Sequence, residues 1–170
     1  MTTPQYSPFD IAEALGDFPP TQQQAQVIAA PLTPRLVVAG AGSGKTTTMS
    51  DRVAWLVANK LVEPEQILGV TFTRKAAGEL AERIQGKLRG LRRSGLLGPD
   101  AQLATAPHQS PFAPEPGATE DPAVPQEPTV STYHSYANSL VRSYGLRLGV
   151  EADTVLLGQA QAWQLAHRLV

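Results

Sequence analysis

The chain has 170 residues, 42% hydrophobic and 17% charged, with a formal net charge of −1. This is the balance of a globular domain or of part of a larger one, and it excludes a globally basic nucleic-acid binder, so any such contact must come from a local patch. Cysteine is absent, which removes disulfides and thiolate metal sites and fits a reducing, cytoplasmic setting; no apolar run reaches the roughly 18–20 residues of a membrane span, and the first residues lack the parts of a signal peptide.

Residues 1–17 predict a loose arm with a short helix over Asp10–Leu15, stopped by Pro19 and Pro20. Thr21 is a good N-cap for a helix over Gln22–Ala30, which Pro31 and Pro34 end. The apolar run in Arg35–Ala39 predicts a first strand. Thr46–Lys60 then has helical periodicity, with Met49, Val53, Leu56 and Val57 along one face. A turn at Glu63–Glu65 leads into a second strand over Gln66–Phe72, apolar enough to be buried on both sides. Arg74–Arg93 predicts a long helix whose outer face carries Arg83, Lys87, Arg89, Arg92 and Arg93.

Composition changes over residues 94–128, which hold no lysine or arginine and are broken by Pro107, Pro111, Pro114, Pro116, Pro122, Pro125 and Pro128. Such a stretch has little to bury and predicts a disordered or extended insertion. A short strand over Thr129–Thr132 and a helix from Tyr133 to about Tyr144 follow, then an extended piece around Thr154–Leu157 and a helix from Gln159 onward. Strands alternating with helices imply an α/β layer with a parallel sheet.

Residues 39–46 read Ala-Gly-Ala-Gly-Ser-Gly-Lys-Thr, between the first strand and the following helix. That is the setting of a phosphate-binding loop. Glycines let backbone N–H groups point inward, and the helix presents its positive dipole end to an anion. Ala39, Gly40, Ala41, Gly42, Ser43 and Gly44 form the cradle, Lys45 reaches the β- and γ-phosphates, and the Thr46 hydroxyl can take a Mg²⁺ position. The pattern departs from the strict form only at Ala39, where Gly is usual. Thr47 adjoins the site. A nucleoside triphosphate with Mg²⁺ is the implied ligand, which the resemblance described below narrows to ATP. A guanine-reading N-K-x-D is not completed, because Val62 stands where Asp is needed after Asn59 and Lys60, and no transporter-type LSGGQ occurs.

Four ordered segments narrow the class: Pro20–Ile28, Ala39–Thr46, Val70–Leu80 and Ser131–Ser135. Together they resemble the Q-motif and motifs I, Ia and Ib of the UvrD/Rep family of superfamily-one DNA helicases. The resemblance implies a partial RecA-like phosphate-loop lobe over residues 18–93 and 129–148, with an inserted helical subdomain starting at 149–170. It places Gln24 at the adenine edge, for which a side-chain amide supplies donor and acceptor. It assigns single-stranded DNA to Thr71, Phe72, Thr73 and Arg74, and to Thr132 and His134. Many relatives carry arginine where Thr47 stands, asparagine where Arg74 stands and phenylalanine where Tyr133 stands. Implied partners are single-stranded DNA and duplex junctions, with no membrane.

The acidic box that such a motor uses to hold Mg²⁺ is not visible, since Glu120 and Asp121 lie in the proline-rich stretch. The chain is therefore expected to be the N-terminal piece of a 3′–5′ helicase of repair or recombination, binding ATP without turning it over. A helicase subunit of a helicase–nuclease complex of the RecB or AdnA/AdnB kind, with a second subunit as partner, is an alternative. So is a non-catalytic ATP-binding interaction module.

Overall fold

A computed structural model describes residues 4–97, 128–150 and 158–169. These fall into two compact units, divided between Tyr133 and His134. The first holds α1 (Pro8–Leu15), α2 (Gln22–Ile28), α3 (Lys45–Ala58), β1 (Leu68–Thr71), α4 (Arg74–Arg93) and β2 (Thr129–Thr132). The second holds α5 (Tyr133–Tyr144, from its second residue onward) and α6 (Gln159–Leu169).

Local chemistry sets most of the boundaries. Ser7 caps α1 through a reciprocal box with Asp10, which starts that helix at Pro8 rather than at Asp10. Thr21 caps α2 in the same manner, its partner being Gln24. Thr73 accepts the Ala76 N–H and opens α4, which spans the predicted residues. Pro64–Gln66 is a 3₁₀ turn, so β1 is shorter than the expected Gln66–Phe72 strand. β1 is also not buried on both faces, since Leu68 is 42% exposed.

The core of the first unit is built by Ile11, Ile28, Trp55, Leu80, Ile84 and Leu91 with their neighbours. α4 turns Leu80, Ile84, Leu88 and Leu91 inward at three- and four-residue spacing. On α3 the buried residues run from Ala54 to Ala58 and include Trp55, while Met49, on the apolar face read from the sequence, is 50% exposed. The Trp55 Nε1–H donates to the Tyr6 carbonyl at 2.7 Å, which fixes the stretch before α1 against α3. Leu96 and Leu97 pack on this core, so the start of the composition-shifted stretch belongs to the folded unit. Residues 98–127 and the expected extended piece at 154–157 lie outside the described residues.

β1 and β2 pair in parallel, in register from Leu68↔Thr129 to Thr71↔Thr132. The expected strand at Arg35–Ala39 is not formed. A strand exists through its ladder, and β1 and β2 bond to each other while this apolar run bonds to neither. Leu36 and Val38 are accordingly each 86% exposed.

Candidate nucleotide and DNA sites

The loop at 39–44 leads straight into α3, whose N-cap is Gly44. Gly42 and Gly44 have φ of 75° and 79°, the left-handed region that glycine enters without a Cβ penalty. Gly44 brings no side chain to cap the helix, so the N–H groups of its first turn stay available to an anion. The Lys45 ammonium folds back over the loop and donates to the Ala39 carbonyl at 2.9 Å and to the Gly40 carbonyl. Two of its three donors are thereby used, leaving one for a ligand oxygen. The Ser43 hydroxyl also donates to the Gly40 carbonyl, at 2.9 Å. Ala41, Thr46 and Thr47 are exposed at the same end of the helix. The arrangement fits a polyphosphate: open amides, one ammonium and a free hydroxyl converge where the helix begins.

Gln24 lies against this loop. Its Nε2 donates to the Ser43 carbonyl at 3.2 Å, and its Oε1 accepts the Thr21 N–H at 2.9 Å. One amide therefore ties the start of α2 to the phosphate loop. A second N–H and a second lone pair remain for a base edge.

One contact here was not legible in the sequence. The Arg83 Nη1–H donates to the Thr47 hydroxyl at 3.2 Å, bringing a guanidinium of α4 to the first turn of α3. The two residues are 36 positions apart, and no linear pattern pairs them. One turn further along both helices, Lys87 bridges Asp51 of α3 and Asp17, the latter at 2.7 Å. Burial opposes the Lys87 charge, but the two carboxylates outweigh it and hold its pKa above the usual 10.5.

At the C-terminal end of β1, Phe72 is 87% exposed. The Thr71 hydroxyl donates to the Thr73 carbonyl at 3.1 Å, and the Thr73 oxygen serves the α4 cap. Arg74 is exposed, and Lys75 forms only an exposed pair with Glu79 at 3.9 Å. Thr132 is 9% exposed, which leaves it little surface to offer a DNA strand. His134 is exposed in the first turn of α5, in the second unit. Among the described residues no cluster of three acids or histidines could hold a metal ion, and no helix is long and apolar enough to cross a membrane.

A glycine-rich loop at the mouth of α3 and a parallel strand pair beside α4 define a mixed α/β chain. Comparison with known proteins narrows this class. Residues 20–170 match the family model described as UvrD/REP helicase N-terminal domain. DNA helicase II of Haemophilus influenzae is 32% identical over 161 residues, covering 95% of this chain and 18% of that protein. DNA helicase II of Escherichia coli is 30% identical over 148 residues, covering 87% and 16% respectively. ATP-dependent DNA helicase UvrD1 of Mycobacterium leprae is 52% identical over 62 residues, 36% of this chain and 8% of that protein. The chain belongs to the UvrD/Rep helicase family. It spans less than a fifth of the length of each of these relatives.

Proposed function

We propose that this chain is the ATP-binding portion of an ATP-dependent DNA helicase that moves 3′ to 5′ along single-stranded DNA in repair or recombination. The observation that carries this reading is the closure of Lys45 over a loop with two left-handed glycines at an uncapped helix start. The naming of the relatives as DNA helicases supports the substrate. Residues 18–93 and 129–148 act as the nucleotide-binding lobe, 94–128 as an insertion, and 149–170 as the start of a helical subdomain. Gln24 reads the adenine edge, residues 39–44 and Lys45 hold the phosphates, and the Thr46 hydroxyl would hold Mg²⁺. When bound, the metal would offset charge developing on the γ-phosphate. Phe72 stacks on a base, while Thr71, Thr73, Arg74 and His134 meet the backbone. The chain works in the cytoplasm on single strands and duplex junctions.

Two titrations test the reading, one with a fluorescent ATP analogue and one with a labelled single-stranded oligonucleotide. Lys45→Ala should abolish nucleotide binding and leave DNA binding in place. Phe72→Ala should do the reverse, weakening DNA binding about tenfold, in line with the loss of one stacked base. Nucleotide affinity unchanged in Lys45→Ala would remove the basis of the proposal.

A further inference from the structure

Two aromatic side chains stand together at one edge of the sheet of the first unit. Because β1 and β2 are paired with Thr71 opposite Thr132, Phe72 and Tyr133 are the residues immediately beyond the last rung. Phe72 is 87% exposed and Tyr133 52%. Their ring centroids lie 5.1 Å apart with planes 38° from parallel. Large apolar rings are normally covered, so an adjacent exposed pair is the informative exception. The tilt lets the rings touch while leaving ring surface of both open to a ligand. They also sit at the carboxyl ends of parallel strands, where open α/β sheets place ligands.

The surroundings identify the chemistry of the occupant. Arg74 follows Phe72 by two residues, is exposed, and forms no ion pair among the described residues. Open π-faces beside a free cation match a chain that alternates flat bases with phosphates. Duplex DNA keeps its bases stacked inside, so the match is to a single strand.

We propose that Tyr133 is a second stacking platform, receiving the base next to the one on Phe72. This rests on the DNA-binding reading of Phe72 given above. With centroids 5.1 Å apart and planes tilted, the two rings offer separate surfaces, one for each of two neighbouring bases.

The test uses short single-stranded oligodeoxynucleotides in which one base at a time is replaced by an abasic sugar. Binding to the wild-type chain, Phe72→Ala, Tyr133→Ala and Tyr133→Phe is followed by fluorescence anisotropy at low salt. Circular dichroism and nucleotide-analogue binding check that each variant is folded. The wild type should show two neighbouring abasic-sensitive positions, each weakening binding about tenfold, as expected for one lost stacking contact. Phe72→Ala should lose sensitivity at one position and Tyr133→Ala at the other, while Tyr133→Phe keeps both. A single sensitive position that both alanine variants abolish would make Tyr133 a mere prop for Phe72 and overturn the proposal. Unaltered binding in Tyr133→Ala would overturn it equally, leaving the Phe72 reading intact. A wild-type chain that binds no oligonucleotide would instead defeat the DNA reading itself.

Discussion

Gly44 shows how narrowly single residues are specified at the phosphate loop. Its φ is +79°, and a Cβ there would come to 3.0 Å from the Gln24 Nε2 that bonds the loop. Gly42 is similarly left-handed at +75°, but a Cβ on it would meet nothing within 4 Å. Left-handed backbone costs a non-glycine residue about 1–2 kcal/mol, so both alanine variants should be destabilised, as read by urea denaturation. Gly44→Ala should lose more, because it also pushes the Gln24 amide aside by a few tenths of an ångström, and it should weaken ATP-analogue binding more than Gly42→Ala does. Equal behaviour of the two variants would contradict this. The glycines and Lys45 were legible in the sequence because a loop that cradles phosphate needs those residue types in a fixed order. That Gln24 serves both a helix cap and the loop was not legible, since the second contact crosses 19 positions.

At the scale of elements, the joints between helices are made by two long basic side chains. Arg52 of α3 donates through Nη1 to the carbonyls of Val27, Ile28 and Ala30 at 2.7–2.9 Å, and through Nη2 to that of Pro31 at 3.2 Å. It thereby closes the C-terminal end of α2, whose last carbonyls have no partner within the helix. Desolvation first, and Arg35 second, lower its pKa, yet a guanidinium stays charged at any ordinary pH. Arg52→Ala should cost about 2–3 kcal/mol, the range of a charged hydrogen bond plus orphaned carbonyls. Arg52→Lys should recover only part, because one ammonium cannot span four carbonyls; full recovery in chemical denaturation would refute the capping role.

Lys87 joins α4 to Asp51 and Asp17, with its side chain 14% exposed. Its pKa is raised on folding, so its charge contributes stability that is fully present below the unfolded value of 10.5 and is lost as pH climbs through the higher folded value. The stability gap between wild type and Lys87→Met, measured by urea unfolding, should be constant around neutral pH and narrow above about pH 10.5. A gap that persists in strong base would mean that the stem, not the charge, matters. The helices themselves were readable from the sequence: the cap at Thr21 and the periodicity of α4 are local signals. The strand expected at Arg35–Ala39 does not form, for the opposite reason. Apolar run and β-propensity describe a willingness to pair, whereas a strand needs a bonded neighbour.

For the molecule as a whole, the proposal implies binding without turnover. Hydrolysis needs a carboxylate for the metal, a group to orient water, and arginines against the γ-phosphate, and the proposed reading assigns this chain only the phosphate-holding Lys45 and the Thr46 hydroxyl. The chain should therefore release no phosphate from ATP above background, with or without single-stranded DNA, while still binding the nucleotide. DNA-stimulated phosphate release from the purified chain would overturn that expectation. Binding of the oligonucleotide should also weaken with added salt, with a slope of about −0.7 in log K against log salt for each phosphate that a local cation such as Arg74 neutralises.

The sequence by itself determined the glycine-rich loop ahead of α3, the bounds of α4 and the family, because each is written in residues close together along the chain. Only the tertiary structure decided which distant residues meet: Phe72 with Tyr133, Arg83 with Thr47, and Lys87 with Asp17. Those encounters depend on strand register and on the relative setting of two helices. Both are properties of packing, and no local stretch of sequence encodes them.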